Sequence, residues 1–173
     1  FLNRLYDVYY PAANRELDEM KELARKDGIK KIQGWDLAYY AEKLKKEKFN
    51  FDQEKLRPYF KVENVIDGIF KVAELLYGLQ FKEINDVPIY HKEVKVFEAY
   101  EENGDFLALF YVDLHPRETK KSGAWMTSFR SQGLYEGKME RPLISIVGNL
   151  TPSTEKTPSL LTFMEVKTIF HEF

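Results

Sequence analysis

The sequence predicts an α+β fold that is mainly helical and carries a small, mostly antiparallel sheet. In the first half, apolar residues recur at spacings of three and four, which is typical of amphipathic helices. In the second half they occur in short runs bounded by turn residues, which is typical of strands. The 173 residues are 44% hydrophobic, enough for one domain with a real core. We therefore expect a helical part, 1–80, followed by a sheet and a final helix, 81–173.

The first two predicted helices meet at a proline. Residues 1–10 are rich in apolar side chains and end at Pro11, where we expect a helix to stop because proline lacks an amide hydrogen. The next segment, 12–26, has apolar residues at helical spacing and is followed by Gly28, a helix-terminating residue. The sequence thus predicts two separate helices here.

Two further helices are predicted before residue 80. One opens at Trp35 and carries several lysines between 43 and 48. An RNA-binding patch is one interpretation, but a solvated helix face is favoured because glutamates interrupt the positive charge. The other helix spans 62–77 and is closed by Gly78. The residues expected to face the core are Leu37, Tyr40, Ala41 and Leu44 in the third helix and Val62, Val65, Ile66, Ile69, Phe70, Ala73, Leu76 and Tyr77 in the fourth.

Short apolar runs predict strands from residue 81 onwards. The predicted strands are 81–84, 94–100, 106–114 and 143–147. Asn103 and Gly104 predict a two-residue hairpin turn, which needs positive φ at both positions. The prolines of segment 151–159 predict a loop that leads to the final helix.

The final helix has a defined start. Thr162 and Glu165 form a T-x-x-E capping box, in which each side chain binds the other residue's amide. Leu161 and Val166 flank this box at the spacing of a hydrophobic staple. The apolar row expected to face the core is Val166, Ile169, Phe170 and Phe173. No glycine, proline or basic last turn follows, so we expect the helix to continue beyond Phe173 in a longer protein.

His171 lies off the apolar row, with Glu172 beside it, and these two are the candidate site residues. In an H-E-x-x-H motif, two histidines four residues apart share a helix face and bind zinc, and the glutamate acts as general base. Only the first two of these five positions occur here. A His-Glu pair is also common on ordinary amphipathic helices, so both interpretations stay open on the motif alone.

Composition excludes several classes of protein. Lys and Arg total 26 against 28 Asp and Glu, which provides no electrostatic case for a nucleic acid or an anionic membrane as partner. No cysteine is present, so there is neither a disulfide framework nor a thiolate site. No run of about 18 apolar residues predicts a membrane span. We expect a cytoplasmic monomer, and a periplasmic or secreted parent remains an alternative.

Several short pieces of sequence occur in order along the chain. They are Trp35-Asp36, Tyr39-Tyr40, Tyr59-Phe60, Gly68, Gly78 to Phe81, Tyr90-His91, Tyr111 to Arg117 with Lys120, Gly123 to Met126, Arg141-Pro142, Asn149 and the closing T-I-F-H-E-F. Each piece is weak alone, but the ordered set resembles the thimet oligopeptidase and peptidyl-dipeptidase family of zincin metallopeptidases. The resemblance covers most of the chain.

The resemblance implies that residues 1–173 are part of a zincin-like catalytic region in an enzyme that uses one zinc ion to hydrolyse short peptides. It implies His171 as a zinc ligand and Glu172 as the general base. In that family the sequence after F-H-E-F continues Gly-His-x-x-His, and the third ligand lies further downstream. We therefore expect an incomplete zinc site in this chain, which alone would be inactive.

The resemblance also bears on the type of cleavage. Residues 123–132 and 141–149 look closer to peptidyl-dipeptidases, which release C-terminal dipeptides, than to endo-acting oligopeptidases. Tyr90 stands where family members more often have tryptophan, and Leu150 where many have an aromatic residue. The endo-acting alternative and the substrate preference therefore stay open.

Other polar residues have a structural interpretation. His91 and His115 could each be drawn as metal ligands, but no second histidine stands at ligand spacing from either. Asp113, Arg117 and Lys120 are expected to form a polar corner that organises the sheet, and not a catalytic pair.

Two alternatives concern larger features. Strand 143–147 could form a wall of the substrate groove by binding an extended peptide along a free edge, or it could be an interior strand. The whole chain could also be a non-catalytic α+β interaction module in which His171 and Glu172 are incidental surface. If the chain is such a module, we expect the parent protein to have neither bound metal nor peptidase activity.

Overall fold

The computed structural model describes residues 1–50 and 52–173 and divides the chain into two compact units, Phe1–Asp52 and Gln53–Phe173. The first unit contains helix α1 (Leu2–Lys26), a short 3-10 helix (Gly34–Asp36) and helix α2 (Leu37–Phe49). Leu23, Ala24 and Tyr40 are its buried core, and Met20, Ile32 and Leu44 pack around them.

The expected break at Pro11 is wrong, because α1 runs through the proline without interruption. Proline removes its own amide hydrogen and crowds the carbonyl of Asp7. Residues 1–10 are all exposed, so water can satisfy that carbonyl, and the helix-favouring residues that follow continue the helix.

The core face predicted for the third helix is only partly correct. Tyr40 is buried and Leu44 is partly covered, but Leu37 and Ala41 are exposed. Helix α2 packs mainly against α1, so only a narrow stripe of its surface is covered within this unit.

The second unit begins with a 3-10 helix (Gln53–Tyr59) and helix α3 (Val62–Tyr77), whose two ends match the sequence prediction. Gly78 ends α3 at φ 71°, and a Cβ at this position would approach the Glu102 side chain to 2.9 Å. The predicted stripe is buried up to Ala73 except for Phe70, which is partly buried and packs against the core. Leu76 and Tyr77 are an exception, because they are 66% and 72% exposed in the last turn.

The predicted small, mostly antiparallel sheet is confirmed. Its strands are β1 (Gln80–Ile84), β2 (Lys95–Tyr100), β3 (Phe106–Asp113), β4 (Trp125–Arg130) and β7 (Leu143–Val147), in the order β1-β2-β3-β7-β4. Strands β5 (Gly133–Tyr135) and β6 (Lys138–Glu140) form a separate hairpin between β4 and β7. The pair β3 and β7 is parallel, and the other pairs are antiparallel.

Strand β7 is an interior strand, so the hypothesis that it forms a free-edged wall of a substrate groove is wrong. It pairs with β3 on one side and with β4 on the other. Its main-chain groups are therefore already engaged in the sheet. Strand β4, which occupies this edge, is not among the strands that the sequence predicts.

The turn between β2 and β3 also differs from expectation. The amide of Glu101 donates to the carbonyl of Asp105, and the amide of Gly104 donates to the carbonyl of Glu101, each at 2.9 Å. Three residues therefore form the loop, with positive φ at Gly104 and not at Asn103. This is the common three-residue hairpin with a glycine bulge.

The core of this unit lies between one face of the sheet and the helices α3 and α4 (Phe163–Glu172). Ile69, Ile146, Leu161 and Ile169 are each at most 2% exposed. The expected core row of α4 is borne out in part. Ile169 is buried and Val166 packs against the core, but Phe170 is exposed. The ring of Phe173 lies 5.6 Å from that of Phe110, although the residue is 42% exposed. The described part of the chain has no helix that is long and apolar enough to span a membrane.

Candidate active site

Helix α4 carries the candidate pair and is anchored at its start. The predicted capping box is present: Thr162 Oγ1 accepts from the amide of Glu165 at 3.1 Å, and Glu165 Oε2 accepts from the amide of Thr162 at 2.7 Å. The other carboxylate oxygen accepts from the amide and hydroxyl of Thr151, at 2.7 and 3.0 Å. Glu165 thus ties α4 to the segment that follows β7.

The charge state of Glu165 suits this role. Burial raises the pKa of its carboxyl, but the hydrogen bonds from Thr162 and Thr151 outweigh burial and hold the pKa below its ordinary value. The carboxylate form is therefore favoured at neutral pH. This anchor sets the rotation of α4 and hence the direction of its last turn.

Glu172 is half-buried and lines a small cavity, about 10 Å³, at the end of β7. The residues around this cavity include Val147, Gly148, Thr168 and Ala124. Ala124 directly precedes β4, so Glu172 lies beside the point where that strand begins. Helical spacing predicts that His171 lies off the apolar row with Glu172 beside it. His171 is exposed, whereas Glu172 is half-buried and lines this cavity together with Ile169.

His171 is exposed on the last turn of α4. An imidazole nitrogen is a ligand that zinc accepts, but a catalytic zinc site takes three protein ligands. Within residues 1–50 and 52–173, no group of three or more His, Cys, Asp or Glu side chains could hold a metal ion. His171 therefore suits zinc as one ligand, and the described residues do not form a metal site by themselves.

The other two histidines do not join such a group either. His91 Nδ1 accepts a hydrogen bond from the amide of Glu93 at 3.3 Å, which is a local turn contact. His115 lines a separate cavity of about 130 Å³, and its Nδ1 is buried without a hydrogen-bond partner. The structural interpretation of His91 fits its contacts.

Strand β4 presents an edge that no other strand covers in the described part of the chain. Trp125, Met126, Thr127 and Ser128 pair with β7, and the register then shifts before Arg130. An uncovered strand edge can bind an extended peptide through main-chain hydrogen bonds. Ala124, the residue directly before β4, lines the same cavity as Glu172, so a peptide on this edge would pass near the last turn of α4. The sequence signal for β4 is that Trp125, Thr127 and Phe129, which favour strands, occur at every second position. Gly123 and Gly133 bound this segment.

The polar corner predicted at the end of β3 is confirmed. Asp113 is 2% exposed and accepts two hydrogen bonds from Arg117, at 2.8 and 2.9 Å, and one from Lys120 at 2.8 Å. Tyr90 donates its hydroxyl to the same carboxylate at 3.0 Å. The corner closes the start of the β3–β4 connection against β3.

The pKa values of this corner follow from burial and charge together. Burial raises the pKa of Asp113, but hydrogen bonds from Arg117 and Lys120 outweigh it, so the pKa lies below its ordinary value. Burial lowers the pKa of Lys120, and Asp113 offsets this only in part. The carboxylate and the two cations thus stabilise one another in a nearly water-free place.

Comparisons with known proteins give a consistent result. The sequence model of peptidase family M3 matches residues 1–173. The chain is 37% identical to oligopeptidase A of Salmonella typhimurium over 175 residues, which are 100% of this chain and 26% of the relative. It is 37% identical to dipeptidyl carboxypeptidase of Escherichia coli over 177 residues, which are 99% of this chain and 26% of the relative. It is 33% identical to saccharolysin of Saccharomyces cerevisiae over 187 residues, with 99% and 26% covered. The chain thus spans about a quarter of the length of these curated relatives.

Proposed function

The chain belongs to peptidase family M3, and from this premise we propose that it is part of the catalytic region of a zinc-dependent metallopeptidase that hydrolyses short peptides. The observation that carries the proposal is that half-buried Glu172 lines the same small cavity as Ala124, the residue directly before the uncovered strand β4. A carboxylate next to a peptide-binding edge is what general-base hydrolysis of an amide requires.

In this proposal, each part of the site has a separate role. Zinc, when bound, supplies a Lewis acid that polarises the scissile carbonyl and lowers the pKa of water. His171 is one of its ligands, and the other ligands lie outside the residues that the structure describes. Glu172 takes the proton of the attacking water and passes it to the leaving amine. The edge of β4 holds the peptide in an extended form.

The finer proposal is a peptidyl-dipeptidase, which releases dipeptides from the C-termini of short peptides. The G-A-W-M and R-P-L-I-S-I-V-G-N runs support it. The second candidate is an endo-acting oligopeptidase, because the chain is as similar to oligopeptidase A as to dipeptidyl carboxypeptidase, at 37% each. We further propose a monomer, located in the cytoplasm, with peptides and not nucleic acids as partners. The cysteine-free composition fits a reducing compartment, and the balanced charge provides no electrostatic case for a nucleic acid.

The role of Glu172 is tested in the full-length protein by Glu172→Gln. We expect kcat to fall by about 10²-fold or more, because glutamine cannot accept the proton, while the zinc content stays at the wild-type level. Hydrolysis of a quenched fluorescent peptide and metal analysis measure the two quantities. Glu155→Gln, in the exposed loop before α4, is the matched control. Undiminished turnover in the Glu172 variant would exclude the proposed role.

The two candidate activities differ in whether they require the free C-terminal carboxylate of the peptide. A peptidyl-dipeptidase recognises the free C-terminal carboxylate, so we expect C-terminal amidation of a test peptide to lower kcat/KM strongly. Mass spectrometry of the unmodified peptide should show dipeptides released in succession from its C-terminus. Internal cleavage at equal rates in both peptides would favour the endo-acting oligopeptidase.

A further inference from the structure

The connection between β3 and β4, residues 114–124, determines where β4 begins. It contains no helix or strand, and much of it is exposed. Its main chain is nevertheless tied to the sheet at two places by side chains that lie outside the proposed chemistry. One is Lys120, within the connection, and the other is Asn149, just after β7.

Lys120 closes the first part of the connection. Its side chain is 2% exposed, and its ammonium donates to the carbonyls of Asp113 and His115 at 2.9 and 2.8 Å. These bonds fold the chain back onto the end of β3. The bonds from Lys120 do not reach the second part of the connection, which leads to β4.

Asn149 holds that second part. Its side-chain amide donates to the carbonyl of Lys121 at 2.8 Å and to that of Gly123 at 2.7 Å. The backbone around Asn149 is itself fixed, because the amides of Gly148 and Leu150 donate to the carbonyls of Asp113 and Leu114, each at 2.8 Å. Asn149 is therefore a bridge from the centre of the sheet to the start of β4.

The end of this bridge lies next to Glu172. Gly123 is followed directly by Ala124, which lines the same cavity as Glu172 and immediately precedes the first residue of β4. The segment Lys121–Gly123 has no helix or strand of its own. A shift of this segment would change the distance between the peptide-binding edge and the carboxylate.

We propose that Asn149 is a positioning residue for peptide hydrolysis, which holds the start of β4 so that a peptide bound along this edge has its scissile amide beside Glu172. The inference rests on the proposed function and adds to it a residue that contacts neither peptide nor metal. Misplacing the reacting groups by about 1 Å can reduce the rate about 10²-fold. Loss of the two hydrogen bonds from Asn149 is therefore expected to lower the rate of hydrolysis.

The test uses Asn149→Asp in the full-length protein. The carboxylate has almost the same shape but offers no hydrogen and repels both carbonyl oxygens. We expect kcat/KM to fall about tenfold or more, with zinc content and melting temperature close to wild type. Asn149→Ala, which removes the donors without adding charge, should act in the same direction and serves if the Asp variant does not fold. Asn85→Asp, in an exposed loop, is the control and should leave kcat/KM unchanged.

A second readout separates positioning from general destabilisation. Peptide substrates are compared with copies that carry one main-chain N-methyl group, which removes a hydrogen bond to a strand edge. In the wild type, at least one methyl position should lower kcat/KM about tenfold, and in Asn149→Asp the same methyl group should cost less than about threefold.

The outcomes are distinct. The inference would be overturned if both Asn149 variants kept the wild-type kcat/KM. It would also be overturned if kcat/KM fell but the N-methyl group still lowered it as much as in the wild type. Either result would leave the proposed function standing. A wild-type protein that hydrolyses no peptide would overturn the proposed function, and the inference with it.

Discussion

A buried carboxylate between two cations is stable only while all three groups are present. Asp113 and Lys120 are each 2% exposed in their side chains, and Arg117 is 23% exposed. Removing the carboxylate would leave an ammonium group in a place that water hardly reaches, which is costly. The corner therefore stabilises the β3–β4 connection only as a complete set.

We expect Asp113→Asn to lower the free energy of unfolding by about 3 kcal/mol at pH 7, because it leaves Lys120 buried without its counter-charge. Urea denaturation followed by circular dichroism measures the change. Glu118→Gln, in the exposed part of the same connection, is the control and should change stability by less than about 0.5 kcal/mol. A similarly small loss in Asp113→Asn would contradict the account of the corner.

Residues with similar roles differed in how far the sequence predicted them. The exposed position of His171, off the apolar row, follows from helical spacing, because Thr162 fixes the start of α4 and each later residue turns by a constant angle. The role of Asn149 could not be predicted, because its two acceptors lie 26 and 28 residues away. A contact at that sequence distance has no local signal.

At the scale of the element, α4 depends on a carboxylate at its start. Glu165 accepts four hydrogen bonds, two from Thr162 and two from Thr151. Its pKa in the folded protein lies below the ordinary value. Stabilisation from such a group is complete above the pKa of the unfolded chain and is lost as the pH falls through the folded pKa. The start of α4 should therefore loosen in acid.

We expect Glu165→Gln to lower the free energy of unfolding by about 1 kcal/mol at pH 7. In glutamine an NH₂ group replaces one of the two carboxylate oxygens, and this group cannot accept the hydrogen bonds made there. The difference from wild type should shrink as the pH falls through the pKa of the folded wild-type carboxyl, which lies below its ordinary value. Denaturant titrations of both proteins at several pH values measure this. A difference that stays constant with pH would show that the charge of Glu165 contributes nothing.

At the scale of the whole molecule, the two units differ in their share of the core. Of the 21 buried hydrophobic residues among those described, three lie in Phe1–Asp52. A small apolar cluster provides little free energy to hold its elements, whereas the sheet and its two helices share a much larger one. Stability is therefore expected to be uneven along the chain.

We expect the amides of α1 and α2 to exchange with solvent deuterium faster than those of β2 and β3. Local opening of the smaller cluster exposes less apolar surface and so costs less free energy. Hydrogen exchange followed by mass spectrometry measures this segment by segment. Stronger protection in α1 than in β3 would contradict this view of the core.

The sequence by itself determined those features that depend on near neighbours. The bounds of α3, the capping box of α4, the polar corner within residues 113–120 and most strands follow from spacing, caps and local charge. The ordered short pieces also determined the family. Two local predictions were wrong. At Pro11 the helix continues, because the neighbouring residues favour a helix. At Asn103 the chain forms a three-residue loop and not a two-residue turn.

Tertiary structure alone decided which strands lie at the edges of the sheet, namely β1 and β4. Residues 143–147 have the composition of either an edge or an interior strand, and their pairing depends on β3 and β4, which come earlier in the chain. The pairing placed β4 outside, with its first residues beside Glu172 and its approach held by Asn149. Strand order is set by burial and hydrogen bonding summed over the whole sheet, and no local segment contains that sum.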